Sequence, residues 1–170
     1  MSLEPVNIDH GFKPVLEEKS KVLILGTLPS VKSFKYNQYY GNPQNAFWWV
    51  MSCLFNFDVS QSYQKRCTLL TESRIAVWDV IASCHRPGSL DSKIDQSTLR
   101  ANDFSALLNQ HSTIELIAFN GQAASKLFSK FVELSDWKGN FLVLPSTSPA
   151  NAAMTKEAKL VQWRKITAYL

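Results

Sequence analysis

The chain has 170 residues, 45% of them hydrophobic and 19% charged, which suits one domain with a substantial core and excludes a disordered segment. Its longest apolar runs, such as Val22–Leu25 and Leu142–Leu144, are strand-sized, and the first residues lack a basic-then-apolar signal pattern, so a soluble cytoplasmic protein with no membrane partner is expected. The formal charge of +4 is compatible with a polyanionic partner. The basic residues are spread along the chain, so such a contact would be a folded surface rather than a charged tail.

In chain order, a first strand is predicted at Val22–Leu25, ending in the loop Gly26-Thr27-Leu28-Pro29-Ser30. The aromatic and amide-rich segment Gln38-Tyr39-Tyr40-Gly41-Asn42-Pro43-Gln44 reads as loop up to a helix from about Asn45 to Phe55, with a second helical piece near Tyr63–Glu72. A second strand is expected at Ile75–Val77, extending to Trp78. The stretch from Ala82 through Ser97 reads as a long irregular loop of functional size. A helix over Asn102–Gln110 would be capped by Asn102 or Asp103, followed by a strand at Ile114–Phe119 and a helix at Gln122–Phe131. The last strand, Phe141–Leu144, precedes a helix at Lys156–Tyr169 that Thr155 can cap and that presents Leu160, Trp163 and Ile166 or Thr167 on one face. This alternation predicts an α/β fold, a three-layer α/β/α sandwich around a central, mainly parallel four-stranded sheet, in a single domain spanning 1–170.

Cys53, Cys67 and Cys84 are odd in number and widely spaced, as are His10, His85 and His111, so neither a disulfide framework nor a metal site follows from local spacing. The cysteines read as reduced, mostly buried thiols. No metal or other cofactor is expected.

Ligands of parallel sheets gather outside the carboxyl ends of the strands. The residues delivered there are Gly26-Thr27-Leu28-Pro29-Ser30, Asp79, Asn120-Gly121 and Ser146-Thr147-Ser148-Pro149-Ala150-Asn151. Each admits a plainer role: Gly26 and Pro29 can simply shape a turn, Asp79 can cap a loop, and Asn120-Gly121 can be a tight strand-to-helix turn. Phe47 and Trp48 read first as core, whereas Tyr39 or Tyr40, in a Gly/Pro/Asn loop, can serve as a stacking platform. Rings beside neutral hydrogen-bonding groups suit a nucleobase.

Taken together, these residues resemble the uracil-DNA glycosylase superfamily over nearly the whole chain. Gly26-Thr27-Leu28-Pro29-Ser30 resembles its first motif, and Ser146-Thr147-Ser148-Pro149-Ala150-Asn151 its second. The segment Gln38 to Trp48, with Trp78-Asp79-Val80-Ile81-Ala82-Ser83-Cys84 and Gly88-Ser89-Leu90-Asp91-Ser92, is most similar to the hypoxanthine-DNA (deoxyinosine) glycosylase branch. The resemblance implies a cofactor-free, monomeric enzyme of the bacterial or archaeal cytoplasm, at the nucleoid when acting. It would bind DNA carrying a deaminated base, flip that base out, and leave an abasic site.

By the same resemblance, Asn45 is a catalytic candidate, and Gly26, Thr27, Leu28, Pro29, Tyr40 and Asp79 form the base site, with Tyr40 stacking and Asp79 reading the base edge. Asn120, at a strand end, joins Asn45 as a catalytic candidate because a pre-aimed amide can stabilise negative charge on the leaving base. Ser30, Arg86, Ser146, Ser148, Pro149 and Asn151 would meet DNA, while Lys156 and Lys159 read as solvated surface. Two departures shift the expected substrate from uracil toward hypoxanthine: Leu28 stands where other branches carry a water-positioning Asp or Asn, and Ser146 where others carry a histidine. Uracil or mismatch excision, or base binding without catalysis, are the competing expectations. A serine hydrolase ranks below them, because neither Ser30 nor Ser148 lies in a Gly-x-Ser-x-Gly elbow.

Overall fold

The structure, a computed structural model, describes residues 7–170; the first six residues of the expected 1–170 domain, and any leader pattern in them, lie outside it. Four strands, β2 (Val22–Gly26), β3 (Ile75–Asp79), β6 (Leu116–Asn120) and β7 (Asn140–Leu144), form a parallel sheet in the order β3-β2-β6-β7. β2 and β6 are buried along their whole length, so both faces must be covered. Alternation along the strands sends Leu23, Leu25, Ala76, Ile117 and Phe119 to one face and Val22, Ile24, Ile75, Val77, Leu116 and Ala118 to the other.

The first face packs against α4 (Phe104–Gln110) and α5 (Gln122–Phe131), through Phe104, Leu107, Leu127 and Phe128. The second packs against α2 (Phe47–Phe55), α3 (Tyr63–Glu72) and α6 (Lys156–Trp163), through Phe47, Met51, Leu70 and Trp163. Burial of each such side chain contributes roughly 1.5–3 kcal/mol. Local signals account for several helix starts: Asp103 accepts from the Ala106 N–H, Ser62 from Lys65, and Thr155 from Ala158. Asn102, the other candidate cap, instead donates from its side chain to the Asp79 carbonyl at 2.8 Å. The last helix is α-helical only to Trp163 and continues as a 3-10 turn, Arg164–Tyr169; Trp163 and Ile166 are buried on its inner face, and Thr167 is exposed.

Two expectations require correction. A short helix, α1 (Val31–Tyr36), capped by Ser30, interrupts the segment read as loop before α2. Six residues are too few for a periodic pattern to register. Both ends of the stretch read as one irregular loop also belong to a second, antiparallel sheet: β1 (Asp9–His10), β4 (Ile81–His85) and β5 (Asp95–Ala101), in the order β1-β4-β5. β5, Asp-Gln-Ser-Thr-Leu-Arg-Ala, is mostly exposed and polar, and its pairing with β4 shifts register twice, so it carries no clean alternation. Only residues from Arg86 to Ile94 remain as a connection, with a 3-10 turn at Asp91–Lys93. Among the cysteines Cys84 is buried and Cys67 half-buried, but Cys53 is exposed, contrary to expectation.

Candidate base-binding site

At the carboxyl ends of the parallel strands lies a recess of about 100 Å³, several times the space one water needs. It is lined by Gly26, Thr27, Leu28, Pro29, Ser30, Tyr40, Asn45, Asp79, Asn120, Ser146 and Ser148, all residues singled out from sequence, together with Ser33, Tyr39, Ser89, Asp91 and Thr147. Arg86, Pro149 and Asn151 do not line it.

Backbone bonds hold the first loop in place. The Val80 and Ile81 N–H groups donate to the Gly26 and Thr27 carbonyls at 2.9 and 3.1 Å. Arg86, expected on phosphates, is instead buried, and its guanidinium donates to the Leu28, Pro29 and Gly88 carbonyls. It therefore clamps the loop from inside. Thr27 Oγ1 donates to Asp91 Oδ1 at 2.6 Å, and Ser89 Oγ accepts from the Val31 N–H at 2.8 Å, drawing the Arg86–Ile94 connection to the rim. Ser30, expected to meet DNA, accepts from the Ser33 N–H as a helix cap. Leu28 buries its side chain in the core, so the recess receives the backbone of this loop rather than a side-chain carboxylate or amide.

The second loop is equally self-bonded. Asn120, at the end of β6, exchanges two bonds of 2.9 Å with Thr147, one from its Nδ2 to Thr147 Oγ1 and one to its Oδ1 from the Thr147 N–H. Gly121 has φ of +94°, and a Cβ there would stand 3.0 Å from Ser146 Cβ, so glycine allows the two strand ends to approach. Ser146 Oγ accepts from the Ser148 N–H, Ser148 Oγ from the Ala150 N–H, and Asn151 Nδ2 donates to the Ser146 carbonyl. Lys159, read as solvated surface, is buried and reaches the Ser148 carbonyl at 3.4 Å; burial pushes its ammonium pKa below the usual value. Trp163 Nε1 anchors the Pro145 carbonyl.

Of the two tyrosines offered as a platform, Tyr39 is core: it is buried, and its hydroxyl donates to the Lys13 carbonyl at 2.8 Å. Tyr40 lines the recess. Its φ of +54° is a left-handed conformation that costs a non-glycine residue on the order of 1 kcal/mol. Its ring stacks on Phe47, with centroids 3.9 Å apart and planes 21° from parallel. Asn45 Oδ1 accepts from the Phe47 N–H at 2.9 Å, so the asparagine orders the start of α2 while it lines the recess.

Asp79 and Tyr40 meet over Gly26, where a Cβ would lie 2.7 Å from Asp79 Oδ1 and 3.2 Å from Tyr40 Oη. Only glycine permits that approach. Asp79 Oδ2 and Tyr40 Oη are buried and without a hydrogen-bond partner in the protein. Burial pushes the Asp79 carboxyl up to about 7, with the Arg86 charge opposing and the Asp91 charge adding to the rise. Burial, and then the Asp79 charge, raise the Tyr40 phenol well above its usual value, so it stays neutral. Residues missed from sequence, Asp91 and Thr147, stood within segments already under suspicion, whereas Ser33, whose Oγ accepts from the Gly41 N–H, had no local signal.

Fold and recess define an α/β protein with a small, polar-lined recess at the ends of its parallel strands, where such folds bind their ligands. Residues 14–170 match the family model described as the uracil DNA glycosylase superfamily. A Methanosarcina acetivorans protein named hypoxanthine DNA glycosylase is 36% identical over 160 residues, covering 94% of this chain and 98% of that protein. A Methanosarcina barkeri protein of the same name is 33% identical over 151 residues, covering 88% and 92%. The solution NMR structure of a candidate uracil DNA glycosylase from Methanosarcina acetivorans is 36% identical and superposes with a TM-score of 0.77, covering 95% of this chain and 97% of that one. The chain belongs to the uracil DNA glycosylase superfamily.

Proposed function

We propose that the protein is a monofunctional DNA glycosylase that excises hypoxanthine from deoxyinosine in DNA, hydrolysing the N-glycosidic bond and leaving an abasic site. The observation that carries the reading is the pair of buried polar atoms without protein partners, Asp79 Oδ2 and Tyr40 Oη, at the floor of the recess. Buried polar groups in folded proteins are almost always paired, and a base edge supplies the missing partners. Extrusion of the base costs a few kcal/mol, less for a mispair such as inosine makes.

In this reading the glycosidic bond breaks toward an oxocarbenium-like sugar and an anionic base, and water adds to the sugar carbon and loses its proton late. Asp79 faces the base edge, and its neutral form can both donate and accept. Asn120 retains one amide hydrogen beyond its bond to Thr147 and is placed to stabilise the charge developing on the base. Asn45 has its carbonyl engaged by the Phe47 N–H, so its free amide hydrogens, with the remaining lone pair, orient water and face the sugar. Tyr40, backed by Phe47, offers its ring to the extruded base. Incubation with labelled duplexes carrying inosine, uracil, xanthine or ethenoadenine, followed by alkali, tests the reading. Strand breaks first and fastest at inosine are expected, and absence of breaks there would defeat it.

A further inference from the structure

Beside the recess runs a second, wider groove of about 440 Å³ that shares Tyr40 and Asn45 with it and is otherwise bordered by Tyr36, Trp49, Val59 and Arg66, among others. Three features distinguish this groove. Tyr36 and Val59 keep 49% and 42% of their surface exposed, a large apolar exposure next to a polar site. Three of the four aromatic rings at its border carry a cation, Tyr40 being the exception: Lys35 Nζ lies 5.5 Å from the Tyr36 ring centre, the Arg66 guanidinium 4.6 Å from that of Trp48, and Lys156 Nζ 4.5 Å from that of Trp49. No carboxylate lines the groove, and none of the three cations is ion-paired among the described residues, where Lys21–Glu115 is the sole salt bridge.

Rings interleaved with unneutralised cations suit single-stranded nucleic acid, in which the bases offer faces and the backbone offers charge. An acidic peptide would use the cations but not the run of rings, and an apolar partner would leave the cations without a role. Continuity with the recess through Tyr40 and Asn45 makes the groove the path of the strand next to the extruded nucleotide. We propose that the groove holds one unpaired base adjacent to the excised one, stacked on Tyr36, with flanking phosphates against Lys35, Arg66 and Lys156. This rests on the reading of the recess as a site for an extruded DNA base.

Single-stranded oligonucleotides with one deoxyinosine, in which one neighbouring position at a time carries a baseless tetrahydrofuran, test it. The readout is the enzyme concentration giving half the maximal single-turnover rate. Loss of the base at one particular neighbour should weaken the wild type about tenfold, less than twofold in Tyr36→Ala, and again about tenfold in Tyr36→Trp. Arg66→Gln should lower the slope of log affinity against log salt by roughly 0.7. The proposal is overturned if no neighbouring position costs the wild type more than twofold, or if Tyr36→Ala suffers the full loss. Should the wild type cleave inosine in duplexes but not in these strands, the proposal is overturned; should it cleave neither, the reading of the recess fails instead. Fluorescence anisotropy with the same oligonucleotides then applies the same base-deletion comparison to the groove alone.

Discussion

Asp79→Asn should change both stability and catalysis with a break at one pH. Asp79 is 4% exposed, and its carboxyl is pushed from 3.8 to about 7, chiefly by burial. The native state therefore keeps a proton that the unfolded chain releases near pH 4. Stability from this group is fully present below pH 4, falls as pH rises toward 7, and is level above 7. The rise corresponds to on the order of 4 kcal/mol, at about 1.4 kcal/mol per pH unit. An asparagine does not titrate, so the variant should gain on the wild type from nothing near pH 4 to a few kcal/mol above pH 7 in urea unfolding. Catalysis should break at the same place or higher, since DNA expels water from the recess. A neutral Asp79 can donate to a base that is gaining negative charge, whereas an ionised one opposes its departure. Single-turnover cleavage of inosine DNA should fall with rising pH above about 7 in the wild type, and Asp79→Asn should show no such break and a shifted preference between inosine and uracil. Parallel unfolding profiles, together with a wild-type rate that climbs through pH 7, would refute the reasoning.

Arg86→Leu leaves three carbonyls of the loop and its partner turn without their donor, two of them buried with it, and should cost roughly 2–4 kcal/mol in urea unfolding. Because the Arg86 charge holds Asp79 down, the same variant should move the break in rate to higher pH, and an unmoved break would separate the two residues. Asn45→Ala loses the bond to the Phe47 N–H, about 1 kcal/mol of stability. It should slow single-turnover cleavage on the order of 100-fold while DNA affinity changes less than threefold; equal losses in both would reduce Asn45 to a helix cap. Asn120→Ala removes both bonds of the buried link between β6 and the second loop, whereas Thr147→Val removes only the Oγ1 acceptor and leaves the backbone N–H on Asn120 Oδ1; each should cost roughly 1–3 kcal/mol, Asn120→Ala the more. In the proposed mechanism Asn120 also offers its second amide hydrogen to the base, so Asn120→Ala should cleave at least tenfold more slowly than Thr147→Val, and matched rates would assign Asn120 to tethering alone.

The parallel sheet was legible because Val22–Leu25 and Leu116–Phe119 are unbroken apolar runs, a pattern imposed by burial on both faces; the expected start at Ile114 is two residues early, before Glu115. The helices on its two faces were legible from caps and periodicity, with Thr155 and Asp103 acting as expected. The second sheet was not, because β5 is polar and exposed and its register against β4 slips. The rim followed from strand ends alone, so most predicted residues converge on one recess. What each side chain does there was less visible. Arg86 looks like any loop arginine until its burial shows that it faces inward, and Lys159 likewise. Ser30, Ser146, Ser148 and Asn151 suggested phosphate contacts, yet each has a turn or cap bond that a hydroxyl or amide makes locally without a ligand.

Leu28 shows how such local fates bear on chemistry. From sequence it is a loss, an apolar residue where a water-positioning group is expected. In the fold it is also a gain, because its side chain joins the core cluster that includes Val80, Ile81 and Cys84 of the second-sheet side, and its carbonyl receives Arg86. A polar residue here would have to bury a carboxylate or amide among apolar groups, or turn it into the recess and give up that packing. Restoring the missing group by Leu28→Asn should therefore destabilise the protein by roughly 2–4 kcal/mol rather than simply add uracil excision. In the proposed mechanism water positioning then falls to another element, and Asn45, which lines the recess and bonds to the start of α2, is the amide assigned to it. If Leu28→Asn instead keeps full stability and gains uracil cleavage that Asn45→Ala does not abolish, the division of labour between the first loop and Asn45 is wrong.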